Sequence, residues 1–130
     1  MHVSSFVLRV KGQERRIFAD RELYVGIRRD WQKGSRLLFV DKTPEDVVIG
    51  SGVFDAIIEL EAMSEQEKKL CLQNNWYGRI IFDSVERFLP PVPVRGAPLA
   101  EIKSVLLHGL EISEQQAQQI TSFVSSRIIS

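Results

Sequence analysis

A pair of glycines set inside a long apolar run restricts this chain more than any other feature. Val47 to Leu60 reads VVIGSGVFDAIIEL, and its side chains alternate as a strand requires. One face carries Val48, Gly50, Gly52, Phe54, Ala56, Ile58 and Leu60, none of them charged. The other carries Val47, Ile49, Ser51, Val53, Asp55, Ile57 and Glu59, a mixed set. The uncharged face is expected to point inward. Gly50 and Gly52 leave that face without side chains at one level of the core. Two readings follow. Either the strand bends sharply there, as the corners of a small β-barrel demand, or the missing side chains form the floor of a pocket.

The flanking segments extend the sheet. Leu37 to Val40 is apolar at every position, which predicts a short strand covered on both faces. Trp31 and the Lys33-Gly34 turn precede it, and the polar, proline-containing Lys42 to Asp46 follows it as a loop. Ser5 to Val10 alternates weakly and predicts a first strand, with a turn at Lys11-Gly12-Gln13. Ile17-Phe18 reads as a short strand or part of a loop, and Leu23 to Ile27 as a further strand. Ser64-Glu65-Gln66-Glu67 fits a capping box and starts a helix that runs to about Gln73. Met63, Leu70 and Cys71 make its apolar stripe. A strand over Arg79 to Phe88 then leads into Pro90, Pro91, Pro93 and Pro98, an extended segment with Val92 and Val94 turned inward.

Past residue 96 the pattern changes to a helical period. Leu99, Ile102, Val105, Leu106 and Leu110 share one helical face that ends near His108-Gly109. Ser113 caps a second helix, with Gln116 completing the box, and Ala117, Ile120, Val124 and Ile128 form its stripe beside Phe123. The expected organisation is a barrel domain over residues 1–96 and a helical hairpin over 97–130. The hairpin is expected to pack on its own barrel or to form a homodimer with a second copy.

Charge and composition narrow the function classes. Seventeen basic and seventeen acidic side chains cancel, so no global field argues for nucleic acid or a membrane. Their distribution is uneven: Arg9 to Lys42 holds ten Lys/Arg against five Asp/Glu, and Thr43 to Glu67 holds seven acids and no base. A neutral chain can thus still present one basic face. Cys71 is the single cysteine, which excludes an internal disulfide and fits a cytoplasmic location. No apolar run approaches the roughly 18 residues of a membrane helix. His2, His108 and Cys71 have no ligand spacing, so no metal and no cofactor is expected. Gly50-Ser51-Gly52 lacks the Gly-Lys-Ser/Thr continuation of a phosphate loop.

Two passages, WQKGSRLLFVDK…VIGSGVFDAIIEL and WYGRIIFDSVERFLPPVPV, resemble the PUA-like superfamily of PUA, ASCH and EVE domains. The shared pattern is a glycine turn, a buried strand, a second strand whose glycines precede an apolar run, then a helix and a strand–proline passage. It covers about Ser5 to Val94. The resemblance implies an α+β fold, a PUA-like mixed β-barrel with a crossover helix, here followed by the two-helix C-terminal extension. It also implies binding of RNA or a modified base. The G-x-K-x-x-E-x-R signature of ASCH domains has no full counterpart. Asp20 to Arg29 lacks the Gly-x-Lys and the spaced Glu and offers only a terminal arginine, Arg28, which leaves binding better supported than catalysis.

The expected function is therefore non-catalytic recognition of RNA or a nucleotide-like ligand. Arg28, Arg29, Lys33 and Arg36 are expected on phosphates, Trp31 and Tyr77 on stacked bases, and Arg79 beside them. Gly50, Ser51 and Gly52 would border the cleft. Trp31 and Trp76 read as core side chains before they read as stacking platforms, and Cys71 as a packed thiol. A rival reading is a nucleoside-directed hydrolase using Asp55, Glu59 or Asp83. A second rival is a protein-interaction module acting through the C-terminal helices.

Overall fold

Leu37, Leu38, Phe39 and Val40 are each fully buried, and their place in the sheet explains why. The structure, a computed structural model, describes residues 5–42, 45–94 and 108–120. Within them β1 (Ser5–Arg9) runs parallel to β3 (Arg36–Lys42), and β3 runs antiparallel to β4 (Asp46–Glu59). A parallel pair in mid-sheet is covered on both faces, so the paired central positions, Phe6 to Leu8 and Leu37 to Val40, are apolar. Leu38 and Val40 join Val7 and Val48 in one core layer. Leu37 and Phe39 join Phe6, Leu8 and Phe54 in the other.

The sheet is completed by β2 (Glu22–Val25), β5 (Gly78–Pro93) and β6 (Leu110–Ile112), in the order β2-β5-β4-β3-β1-β6. It is a mixed sheet curled into a half-barrel. Three prolines sit in the last third of β5. β2 pairs only with Gly78 to Ile81 of that strand, so at the prolines a missing N–H leaves no β2 ladder bond unmade. Val92 and Val94 are buried there, as the alternation predicts.

Three departures from the sequence pattern have local causes. Ile17-Phe18 belongs to a helix, α1 (Glu14–Asp20), instead of a strand or loop. Gln13 fixes its start by bonding β2 twice: Nε2 donates to the Tyr24 carbonyl at 3.0 Å, and Oε1 accepts from the Tyr24 amide at 2.8 Å. Ala56 is exposed, although the alternation placed it inward. The β4–β5 register shifts between Val53 and Phe54 and again between Phe54 and Ala56, and such irregularities reset which face each side chain takes. In α2 (Glu65–Gln73), Cys71 is buried against Met63 and Tyr24, whereas Leu70 is 41% exposed. The helix therefore rests on a narrower strip than its stripe suggested.

The Ser64 cap is present: its Oγ accepts from the Glu67 amide at 3.2 Å. The Ser113–Gln116 box is made in both directions, at 3.1 and 3.0 Å, and starts the helix α3 (114–120). Leu110 lies in β6, antiparallel to β1, and so corrects its assignment to a helical stripe. Ala117 and Ile120 are buried with Val7, Leu38, Val40 and Phe88, so this part of α3 covers the sheet of its own chain. The expected helix over Leu99 to Leu106, and Phe123, Val124 and Ile128, lie outside the described residues. Among the described residues no helix is long and apolar enough to cross a membrane.

Candidate ligand cleft

Among the described residues, the space beside the glycine pair is filled rather than open. A Cβ on Gly52 would lie 2.8 Å from Phe82 and 2.9 Å from Phe39, and one on Gly50 would collide with the Glu86 carbonyl and lie 2.8 Å from Phe18. Aromatic rings from α1, β3 and β5 thus occupy the space that the glycines leave. Ser51 between them is buried.

The other expected site residues form one cluster and several separate pairs. Trp31 donates from Nε1 to the Tyr77 hydroxyl at 2.6 Å, and its ring meets Phe6 edge-on at 5.1 Å. The Arg28 guanidinium lies 3.9 Å above the Tyr77 ring and pairs with Glu59 at 3.5 Å. Burial raises the Tyr77 phenol above its ordinary pKa, against the opposing effects of the Trp31 bond and the Arg28 charge. Lys33 pairs with Asp55 at 3.5 Å, and Arg36 opens β3 opposite Val53. Arg79 binds Glu22 and also Glu67, the latter at 3.4 Å. Arg28, Trp31 and Tyr77 therefore meet as expected, but their polar groups are largely engaged with one another and with carboxylates.

A cleft of about 560 Å³ opens beside this cluster, lined by Arg9, Lys11, Gln13, Tyr24 to Ile27, Asn74 to Trp76 and His108. Its walls come from four places in the chain. β1 delivers Arg9 and runs into a turn where Lys11 and Gly12 both have positive φ. β2 supplies Tyr24 and Val25. The α2–β5 connection supplies Asn75 and Trp76, and it can approach only because residue 26 is glycine: a Cβ there would run into the Asn75 carbonyl. The turn before β6 supplies His108, held in place by the Gly109 amide donating to the Val7 carbonyl at 2.6 Å.

Two properties of this cleft bear on recognition. Trp76 stacks on Tyr24 with ring centres 4.7 Å apart and planes within 4°, and the Arg16 guanidinium also lies over the Tyr24 ring at 4.6 Å. A half-buried indole is thus fixed at the cleft wall. Burial, then the Glu67 carboxylate, raises the Tyr24 phenol above its ordinary pKa, so it stays neutral. The second property is charge. Arg9 and Lys11 line the cleft and, among the described residues, no carboxylate does; Arg29, outside the lining, bonds through Nε to the carbonyl of Gly109, the neighbour of His108, at 2.7 Å. Arg9 is held by Asp46 at 2.9 and 3.2 Å, whereas Lys11 and Arg29 have no carboxylate partner among the described residues.

Sequence reasoning singled out Arg29, weighed Trp76 as a stacking platform but set it aside as a core side chain, and passed over Lys11, Asn75 and His108 as site residues. The signals were a lysine in a turn directly after a strand, a tryptophan in the step before Tyr77, and a histidine before glycine. Asp55, Glu59 and Asp83 do not line the cleft. Among the described residues no three His, Cys, Asp or Glu side chains gather as a metal site needs.

The architecture matches that of solved ASCH structures. The crystal structure of ASCH from Zymomonas mobilis superposes with a TM-score of 0.66 at 11% identity, covering 92% of this chain and 93% of that one. A serine-to-alanine variant of that protein gives 0.63, and a tyrosine-to-phenylalanine variant 0.65, again at 11% identity and 92% of this chain. No protein-family model matches the chain, and no curated protein does. The likeness is one of fold: a mixed half-barrel sheet with helices, the α+β arrangement of the PUA-like ASCH domains.

Proposed function

We propose that this protein binds RNA or a nucleotide-like ligand, in the cleft between β1, β2, the α2–β5 connection and the turn before β6. The observation that carries the reading is an aromatic wall in one cleft with Lys11 in its lining and Arg29 beside it, two cations that have no carboxylate partner among the described residues. Trp76 offers a fixed ring face for a base, and Lys11 and Arg29 offer charge for phosphate. The volume of about 560 Å³ lies in the range of small-molecule sites, roughly 300–1,000 Å³, and accommodates one nucleotide unit. The ASCH-type fold is consistent with this class of ligand. The reading is one of binding: Asp55 and Glu59 are engaged with Lys33 and Arg28, and neither they nor Asp83 reach the cleft.

Filter binding of short single-stranded RNA at two salt concentrations tests the proposal. With two phosphates neutralised, the slope of about −0.7 per phosphate means that affinity falls about seven-fold between about 50 and about 200 mM salt. Trp76→Ala weakens binding at both concentrations, while Lys11→Ala flattens the salt dependence. Absence of binding of both the short RNA and a mononucleotide at the lower salt, with the protein folded, overturns the reading.

A further inference from the structure

His108 has one ring nitrogen committed and one available. Its Nδ1 lies 3.0 Å from the backbone nitrogen of Arg9. An amide N–H can only donate, so Nδ1 carries the lone pair and the proton of the neutral ring sits on Nε2. The ring is neutral near pH 7. Burial lowers its pKa first, and the charges of Lys11, Arg9 and Arg29 lower it further.

The same three cations lie near the ring, and Arg9 and Lys11 line the cleft together with it. From β1 and its turn come Arg9 and Lys11. From the segment after β2 comes Arg29, with Nε on the Gly109 carbonyl and Nη1 on the Arg28 carbonyl. Asp46 offsets Arg9 but does not line the cleft. A cleft corner with a neutral N–H donor, a lysine and an arginine, and with no carboxylate among the described residues of its lining, is suited to an oxyanion more than to any other ligand group.

We propose that this corner is a phosphate subsite, in which Nε2–H of His108 donates to a phosphate oxygen while Lys11 and Arg29 supply the charge. The inference rests on the nucleotide-binding reading for its context and adds to it the group recognised and the residue that recognises it. Bound phosphate adds negative charge beside the ring and so raises the proton affinity of His108. Phosphate binding then takes up a fraction of a proton on the acid side of neutrality. The chemistry is shared by a terminal monoester, an internal phosphodiester and free phosphate, and separate probes distinguish them.

The test is the ring-nitrogen NMR spectrum of the full chain, labelled with nitrogen-15, in which the His108 signals are those lost in His108→Asn. The free protein should show the Nε2-protonated tautomer. Inorganic phosphate and adenosine 5′-monophosphate should shift its Nε2 signal, a dinucleoside monophosphate should do so if a diester fits, and adenosine should not. His108→Asn places an amide oxygen where Nδ1 was and so keeps an acceptor for the Arg9 amide. It should hold its fold and lose about ten-fold or more in phosphate affinity. A ring protonated on Nδ1, or a wild-type ring unmoved by saturating phosphate, overturns the subsite without requiring any variant to fold. RNA binding with His108 unmoved removes the subsite and leaves the nucleic-acid reading. A phosphate-shifted His108 with no RNA binding does the reverse.

Discussion

Replacing Gly52 by alanine separates a glycine needed for packing from a glycine needed for a ligand. The new Cβ would stand 2.8 Å from Cδ1 of Phe82 and 2.9 Å from Cζ of Phe39. Both rings are buried and lean on each other edge-to-face at 5.2 Å, so neither can withdraw without disturbing the layer that includes Phe54 and Ile80. Overpacking of this kind costs about 1–3 kcal/mol, and the loss of glycine flexibility in the unfolded chain returns about 0.4–1 kcal/mol. Taking the middle of each range, a net destabilisation of about 1.3 kcal/mol remains. With 130 residues, the unfolding entropy is about 0.27 kcal/mol/K, so Tm falls by about 5 °C. Thermal melts followed by circular dichroism measure the shift, and Phe82→Leu in the same chain should recover part of it because it vacates the contact. RNA affinity of the folded variant should be unchanged. A Tm equal to or above wild type refutes the packing argument, and lost binding at unchanged Tm would restore the pocket-floor reading.

Two further perturbations probe other parts of the account. Ile120→Glu puts a carboxylate into the fully buried layer with Val7, Leu38 and Phe88; the cost should exceed about 4 kcal/mol, read as loss of the cooperative melt. His108 has a folded pKa below its ordinary 6.5, so the unfolded chain binds more protons between these two values. Its contribution to stability is complete above pH 6.5 and is lost as pH falls toward the folded pKa. Denaturant titrations from about pH 7 to about pH 5 should show a smaller decline in His108→Asn than in wild type.

What the sequence made legible was local. Leu37 to Val40 announced a doubly covered strand because a central parallel pair leaves no polar position, and Ser64 and Ser113 announced their helices through hydroxyls that bond within three residues. α1 was hidden because seven residues with Ile17 and Phe18 as neighbours carry no helical period; the two contacts that fix its start run from Gln13 to Tyr24 in another strand. Ala56 was misplaced because a register shift depends on the partner strand, which alternation within β4 cannot report. Leu110 fell on a helical stripe because it follows Leu106 by four residues, although pairing with β1 makes it a strand residue. The cleft was the least legible part: Arg9 and His108 are 99 positions apart, and only the β1–β6 pairing brings them together. Arginine-rich turns drew attention instead, and there the cations are largely matched by Asp55, Glu59, Glu22 and Glu67.

The central claim, that the cleft is the binding surface, is tested most directly by mapping backbone amide shifts while a short single-stranded RNA is added to the nitrogen-15-labelled chain. The account predicts that the largest changes fall on Lys11, Gly26, Asn75, Trp76 and Gly109, with the Trp76 indole signal moving more than that of Trp31. Changes centred instead on Gly34, Gly50 and Gly52, or an unchanged spectrum at low salt, would contradict it.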